Sequence, residues 1–272
     1  MESPARIVSL TLSAVTAVVL ALSGCGSPPS TVDGPAVDGG SSATSGSAIH
    51  LAARLTSPTD VALSWTATDT GEAGHTVEYA TGAGGQPGDG QFVVLQFLPP
   101  AETSFTHPDL IPETTFSYRV RPYYGPASTP VQVELPPGDY DETAHEYDPD
   151  WAAPTVRPQP PAARVTIRAA GRPASGTPTP GAPTDLRAAV RDANGIAFTW
   201  TDNASDEDGY LLEVKPAGAA DFNVAAVLDR DVNAYGLVTL PTEKHASYRV
   251  RAFYLGPPSN VVHETTGKDL SG

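Results

Sequence analysis

The amino-acid sequence predicts an all-β protein built from two tandem antiparallel β-sandwiches. Three observations lead to this prediction: an internal repeat, short segments in which apolar and polar residues alternate, and turns rich in Gly, Pro and Asp between them. No segment of helical length shows the periodicity of an amphipathic helix. With 272 residues, the chain is long enough for two domains and their connecting segments.

The repeat is visible in the spacing of matching residues. Trp65 ends the segment VALSW and Trp200 ends IAFTW, and in both copies a Gly follows nine residues later and a Glu thirteen residues later. Further along, FSYRVRPYYGPAS in the first copy matches ASYRVRAFYLGPPS in the second. We therefore assign one domain to residues 49–135 and a second domain to residues 183–267.

Within each copy the apolar residues recur with a period of two. Ile196, Phe198 and Trp200 alternate with Ala197 and Thr199, and the matching residues of the first copy follow the same pattern. Side chains of a β-strand point to opposite faces in turn, so this pattern predicts half-buried strands. Several short strands of this kind favour an antiparallel sandwich.

The order of these motifs resembles the fibronectin type III family. The second copy opens with PTDLRAAV, continues with IAFTWTDNASDEDGYLLEV and closes with LPTEKHASYRVRAFYLGPPSNVV, which is similar to the family's strands A through G. The resemblance implies that Trp65 and Trp200 are core residues of strand B. Phe116 and Ala246 occupy the position of the family's corner tyrosine, so the hydroxyl bond of that corner is expected to be absent. Because each copy has a Trp-centred core of its own, we expect each to fold alone.

The N-terminus indicates export and attachment to lipid. An apolar run from Ile7 to Leu22 leads to Leu-Ser-Gly-Cys, and it is shorter than the roughly 20 residues of a membrane-spanning helix. The segment resembles a bacterial lipoprotein signal peptide, here residues 1–24. This resemblance implies cleavage before Cys25 and a diacylglycerol on its thiol, with a free or buried thiol as the alternative. The expected location is the cell membrane, lipid-anchored and facing outside.

The remaining composition limits the possible partners. Residues 25–48 carry almost nothing to bury and are predicted to be a flexible tether, and residues 268–272 are a short tail. Cys25 is the only Cys, so no disulfide can stabilise the domains. The formal net charge of −15 provides no basic face for phosphate backbones, which argues against nucleic acid as a partner.

Residues 136–182 are predicted to link the two domains and contain ten prolines. An acidic, aromatic piece (138–151) precedes a basic, Pro-rich piece (157–180), and their opposite charges could hold them together. A pure spacer needs no exposed aromatic side chains, so we interpret three of them as a candidate binding site for a partner: Tyr140, Tyr147 and Trp151. Packing on a domain edge is the alternative.

The most acidic stretch is TDNASDEDGY, residues 201–210. An EF-hand-like calcium loop with Gly209 at its sixth position requires an oxygen ligand at position 204 and a Glu at position 215, but Ala204 and Lys215 stand there. We therefore predict a turn in which Asp and Asn bond their own backbone, and no metal site. Adventitious calcium binding is the alternative.

The two Tyr-Arg-Val-Arg segments place pairs of arginines on one face of a strand. We expect these arginines on the solvent face, paired across strands with Glu78 and Glu213: Arg119, Arg121, Arg249 and Arg251. A patch that binds anions or glycans is the alternative.

No catalytic motif is present. The six His residues form no His-Glu-x-x-His, and there is no Gly-x-Ser-x-Gly and no phosphate loop. We therefore expect neither an enzyme nor a cofactor. The sequence predicts a membrane-anchored surface lipoprotein that acts as a protein-interaction, adhesion or spacer array, with an envelope protein or an extracellular glycan as partner. The alternative is an accessory module for binding or degrading extracellular polysaccharide.

Overall fold

The computed structural model describes residues 49–66, 71–82, 87–138, 152–159, 163–168 and 179–268, which all belong to one compact unit. The predicted signal peptide and tether lie outside these ranges. The helical elements within them are two 3₁₀ turns of three residues, Asp89–Gln91 and Pro241–Glu243. No helix in the described residues is long and apolar enough to cross a membrane.

Fourteen β-strands account for the rest of the regular structure in these ranges. Seven come from the first sequence copy: β1 (His50–Leu55), β2 (Val61–Thr66), β3 (Gly74–Thr81), β4 (Val93–Leu98), β5 (Ser104–His107), β6 (Thr115–Tyr124) and β7 (Val131–Glu134). Seven come from the second: β8 (Thr184–Val190), β9 (Gly195–Thr201), β10 (Gly209–Pro216), β11 (Asn223–Leu228), β12 (Ala234–Val238), β13 (His245–Leu255) and β14 (Val262–Thr265).

The strands form two sandwiches, which confirms the predicted all-β fold. In the first sandwich the sheet β1-β2-β5 packs on β4-β3-β6, and in the second the sheet β12-β9-β8 packs on β11-β10-β13. In β2 the side chains of Val61, Leu63 and Trp65 are buried while the residues between them are not, as their alternation predicts. Trp65 and Trp200 each lie in the core of their own sandwich, as predicted.

The last strand of each sequence copy lies in the other copy's sandwich. β7 pairs antiparallel with β13, with Val133 opposite Ala246, and β14 pairs antiparallel with β6, with Val262 opposite Tyr118. Val133 is part of the second sandwich's core, and Val262 packs against the core of the first. The expectation that each copy supplies all strands of its own sandwich is therefore wrong.

Both crossovers begin where β6 and β13 meet. These strands pair end to end, with Tyr124 opposite Tyr254, and the two rings stack with centroids 5.5 Å apart. Gly125 follows with φ +124°, and a Cβ there would lie 2.0 Å from the carbonyl oxygen of Ala252. Only glycine allows this turn and this approach, so the chain leaves β6 at Gly125 and crosses to the second sandwich.

The two crossovers make matching contacts, which gives the unit an approximate twofold symmetry. Ser128 donates its N–H to Val250 O (2.8 Å), and its hydroxyl accepts the N–H of Val250 (3.1 Å). Ser259 does the same with Val120, at 2.8 and 3.0 Å. A serine therefore joins each exchanged strand to the strand that receives it.

A third apolar cluster joins the sandwiches. It contains Phe97 and Tyr123 from the first and Leu211 and Phe253 from the second. The rings of Phe97 and Phe253 lie 5.6 Å apart in an edge-on contact.

The two large sheets run together into one sheet of eight strands, which curls until β11 and β4 approach each other. Its outer face is thus largely enclosed rather than open to water.

This enclosure changes the environment of the paired arginines. Arg119 and Arg251 are only 5 % and 8 % exposed, so their predicted location on a solvent face is wrong. The predicted partners are correct for three of the four arginines: Arg119 Nε donates to Glu78 at 2.5 Å, and Glu213 accepts from both Arg249 and Arg251. Arg121 instead donates to the backbone carbonyl of Gly256 at 2.8 Å. Alternation alone places these side chains on the face opposite the core, but it does not reveal that the curling of the eight-stranded sheet encloses that face.

The corner tyrosine of the second sandwich is present, contrary to the sequence interpretation. The hydroxyl of Tyr248 donates to the backbone carbonyl of Glu243 at 3.3 Å, five residues upstream. A hydroxyl bonded to the upstream backbone is the mark of this corner. The matching position is therefore 248, not Ala246, and in the first copy Tyr118 occupies it instead of Phe116, with its hydroxyl 3.1 Å from His107 Nδ1.

The strand exchange predicts how fragments fold. We expect residues 183–267 alone to show no cooperative thermal transition, because β13 then lacks β7 and the core lacks Val133 and Leu135. The matched fragment 126–267 restores that strand and should melt cooperatively. Circular dichroism of both fragments during heating measures this. If residues 183–267 melt as the longer fragment does, β7 is not needed for folding.

Candidate functional site

The predicted site residues Cys25, Tyr140, Tyr147 and Trp151 lie outside the described residues. Both ends of the segment that carries the three aromatics are described, and both are bound to the second sandwich. Lys244 Nζ donates to the carbonyl of Gly138 at 3.0 Å, and Gly236 donates its N–H to the carbonyl of Ala152 at 3.2 Å. The second sandwich therefore binds the two described residues that flank this segment, Gly138 and Ala152.

The acidic stretch 201–210 forms the connection between β9 and β10, as predicted. Asp202 follows the strand that ends after Trp200, and its Oδ1 accepts the N–H of Ala204 at 3.0 Å, which is the predicted bond from an Asp to its own turn. The same oxygen accepts the hydroxyl of Tyr210 from the start of β10. This carboxylate thus closes the connection from both sides.

Two other acids of this stretch hold the linker instead of their own backbone. Asp206 accepts the N–H groups of Ile167 (2.6 Å) and Arg168 (3.2 Å) with its two carboxylate oxygens. Asp208 accepts a guanidinium hydrogen of Arg168 at 2.6 Å and the N–H of Leu255 at 2.8 Å. The prediction of a self-bonded turn is therefore correct for Asp202 but incomplete for Asp206 and Asp208.

The linker also pairs with this connection through the backbone. Val165 donates its N–H to Asn203 O at 2.9 Å and accepts the N–H of Ser205 at 3.1 Å, which makes a short parallel bridge. Ile167 is buried against the second sandwich and belongs to its core. Residues 163–168 are thus bound along the acidic connection, with a bridge at Val165 and a bend at residues 167–168.

Two side-chain amides bind the backbone around the start of the linker. Gln159 accepts the N–H of Asp202 at 3.0 Å and donates to its carbonyl at 2.9 Å. Asn233 in turn accepts the N–H of Arg157 at 2.6 Å and donates to its carbonyl at 2.9 Å. Each amide bonds both the N–H and the carbonyl of one residue. The contacts therefore depend on the backbone of Asp202 and Arg157 and not on the side chains of those two residues.

Three carboxylates meet beside this bound segment: Asp202, Glu207 and Asp231. One oxygen of each lies within 4.8 Å of the others. Arg164 of the linker contacts two of them, with a guanidinium nitrogen 2.8 Å from Asp202 Oδ2 and a second nitrogen bonded to Asp231. The cluster therefore brings three acids and one base together.

Burial and neighbouring charges shift the pKa values of two acids in opposite directions. Burial raises the pKa of Glu207, and the nearby carboxylate of Asp202 raises it further. Burial also disfavours the charged form of Asp208, but the N–H of Leu255 and the guanidinium of Arg168 outweigh it and lower its pKa. Asp208 is thus held as a carboxylate for Arg168, while Glu207 resists ionisation.

The sequence reasoning missed the residues that receive the linker. The predicted attraction between the acidic piece (138–151) and the basic piece (157–180) was an available signal. Two arginines of the basic piece, Arg164 and Arg168, pair with acids of the second domain. Charge complementarity identified the basic piece as one side of a contact. It did not identify the acids on the other side, because a chain of net charge −15 offers many.

Known proteins similar to this chain are found among solved structures. No protein-family model matches the chain, and no curated protein does. Among solved structures, it is similar to the fibronectin type III domain of the human collagen alpha-1(XX) chain, at 28% identity, over 31% of this chain and 78% of that one, with a TM-score of 0.25. It is also similar to a two-domain segment of chicken tenascin, at 14% identity, over 80% and 97%, with a TM-score of 0.25. Both are fibronectin type III structures.

The bonds of Asp206 predict the effect of removing its carboxylate. We expect Asp206→Ala to weaken docking of residues 163–168 by about 1–3 kcal/mol, because the carboxylate that accepts two backbone N–H groups, one of them partly buried, is lost. Trypsin should then cut after Arg164 and Arg168 faster than in the parent protein. Asp221→Ala, at an exposed acid, is the control. Equal cleavage of the two variants would show that Asp206 does not hold the linker.

Proposed function

We propose that this protein is a non-enzymatic protein-interaction or adhesion module, anchored to the outer side of the cell membrane through a lipid on Cys25. Its partner is an envelope protein, which the aromatic segment around Tyr140, Tyr147 and Trp151 binds. The observation that carries the proposal is the fixed pair of chain ends at Gly138 and Ala152, both bonded to the second sandwich.

Fixed ends favour binding for a physical reason. A segment whose ends are already held has less conformational freedom to lose when a partner orders it, so more of the contact energy remains as affinity. Tyr and Trp provide large contact areas with few rotatable bonds, and they account for much of the energy at protein interfaces. The combination suits a recognition segment better than a spacer.

The rest of the described surface offers fewer groups for a ligand. Three arginines of β6 and β13 pair with Glu78 and Glu213, and the fourth, Arg121, donates to the carbonyl of Gly256. Arg119 and Arg251 are also buried. Asp206 and Asp208 bind the linker. These commitments support placing the interaction in the aromatic segment.

The membrane anchor has its own test. We expect Cys25→Ala to move the protein from the membrane fraction to the medium, or to leave an uncut precursor, because the thiol that carries the lipid is gone. Fractionation with immunoblotting and intact mass measures location and processing together. A correctly cut Cys25→Ala protein that stays in the membrane fraction would contradict the anchor.

The aromatic segment is tested by a triple substitution. We expect Tyr140→Ala, Tyr147→Ala and Trp151→Ala together to abolish capture of the envelope partner, because buried aromatic anchors contribute most of the binding energy. Chemical crosslinking with mass spectrometry identifies the partner, and a glycan array run in parallel detects polysaccharide. The melting temperature should not change.

The control is Val93→Ala, an apolar side chain that is 53 % exposed on the first sandwich. It should leave capture intact. Capture that survives the triple substitution excludes the segment as the binding site. A fall in melting temperature would show instead that the three aromatics pack on a domain edge, and binding to the glycan array alone would favour the polysaccharide module.

A further inference from the structure

Two carboxylate oxygens beside the linker are buried but accept no hydrogen bond in the described structure. They are Glu207 Oε2 and Asp202 Oδ2. Glu207 is 3 % exposed and Asp202 is fully buried. An unpaired buried carboxylate is costly, so each such oxygen calls for an explanation. Arg164 forms an ion pair with Asp202 Oδ2, whereas Glu207 Oε2 has no such partner among the described residues, so Glu207 points to a further, positively charged ligand.

The third carboxylate of this cluster provides access from solvent. The side chain of Asp231 is 51 % exposed, whereas its backbone N–H faces the other oxygen of Glu207, Oε1, at 3.4 Å. One oxygen from each of the three acids lies within 4.8 Å of the others. The cluster is therefore a set of converging oxygens with two members inside the protein and one at the surface.

Arg164 supplies only part of the positive charge that this cluster requires. Its guanidinium lies against Asp202 and Asp231 and forms no ion pair with Glu207 in the described structure. The contact with Asp202 Oδ2, at 2.8 Å, is an ion pair without hydrogen-bond geometry. One arginine thus lies beside three acids, and Glu207 Oε2 has no hydrogen-bond partner in the described structure.

We propose that Asp202, Glu207 and Asp231 bind a hard divalent cation of the calcium type, and that Arg164 of the linker competes with the ion for this site. Carboxylate oxygens are the ligands that such cations prefer, and water completes the coordination on the exposed side of Asp231. The site differs from an EF-hand-like loop, because Asp206 and Asp208 are engaged with the linker.

Competition follows from shared ligands. The guanidinium and the ion both require Asp202 and Asp231, so each weakens binding of the other by the same factor. Calcium binding therefore displaces Arg164, while Asp206 continues to hold the N–H groups of Ile167 and Arg168. The ion loosens one contact of the linker without releasing the whole segment.

The test titrates calcium alone, and magnesium alone, into the metal-free full chain. We expect calcium to raise the melting temperature, since a ligand of the folded state stabilises it. Terbium, which substitutes for calcium, should luminesce on excitation of Tyr210, whose hydroxyl bonds Asp202. Arg164→Met removes the competitor, and we expect it to tighten calcium binding about tenfold.

Substitutions in the Arg164→Met background locate the ion. Glu207→Gln and Asp231→Asn should each weaken calcium binding about tenfold, because each removes one charged ligand. Asp221→Asn, at an exposed acid outside this connection, should leave the affinity unchanged. If Glu207→Gln does not fold, the exposed Asp231→Asn decides. Absence of calcium binding in Arg164→Met overturns the proposal, as does binding that neither ligand substitution weakens.

Discussion

The reciprocal exchange of β7 and β14 is the constraint on which the rest of the structure depends. Each large sheet is completed by a strand from the other sequence copy, so neither sandwich has all of its hydrogen-bonded neighbours without the other. The exchange requires the chain to turn sharply at Gly125, against the carbonyl of Ala252. It also sets β6 and β13 end to end, which makes one sheet out of two. Two domains that repeat in sequence thereby become one structural unit.

Burial of the charged pairs follows from this arrangement. Once the common sheet curls, the side chains opposite the two cores face each other, and Glu78, Arg119, Glu213 and Arg251 lose contact with water. A buried pair requires good geometry to offset the loss of hydration, and Glu213 meets that requirement by accepting from two arginines. Pairs of this kind add little net stability but disfavour other registers. The Tyr-Arg-Val-Arg segments also join the sandwiches, because Arg121 donates to the carbonyl of Gly256 and Arg251 to the carbonyl of Gly125.

The acidic connection between β9 and β10 serves both the fold and the linker. Asp202 accepts the N–H of Ala204 within its own turn, while Asp206 accepts the N–H of Ile167 in the linker. Arg164 of the linker forms an ion pair with Asp202 of the turn. Glu207 Oε2 takes part in neither the turn nor the binding of the linker. The described residues of the linker are bound to the second sandwich at several points, and Ile167 is buried in its core.

Local pattern in the sequence determined the strands, the Trp-centred cores and the cross-strand pairs of Arg119 with Glu78 and of Arg249 with Glu213. These features depend on alternation and on residues close in sequence, which a repeat makes visible twice. Tertiary structure decided three others: which sandwich β7 and β14 complete, whether the arginine face meets water, and what Asp206 binds. A four-residue strand satisfies the same hydrogen bonds in either sandwich, because Val131 and Val262 occupy equivalent places in the two copies. Which of the two sandwiches each strand joins depends on how the eight-stranded sheet curls, and no local sequence pattern predicts that.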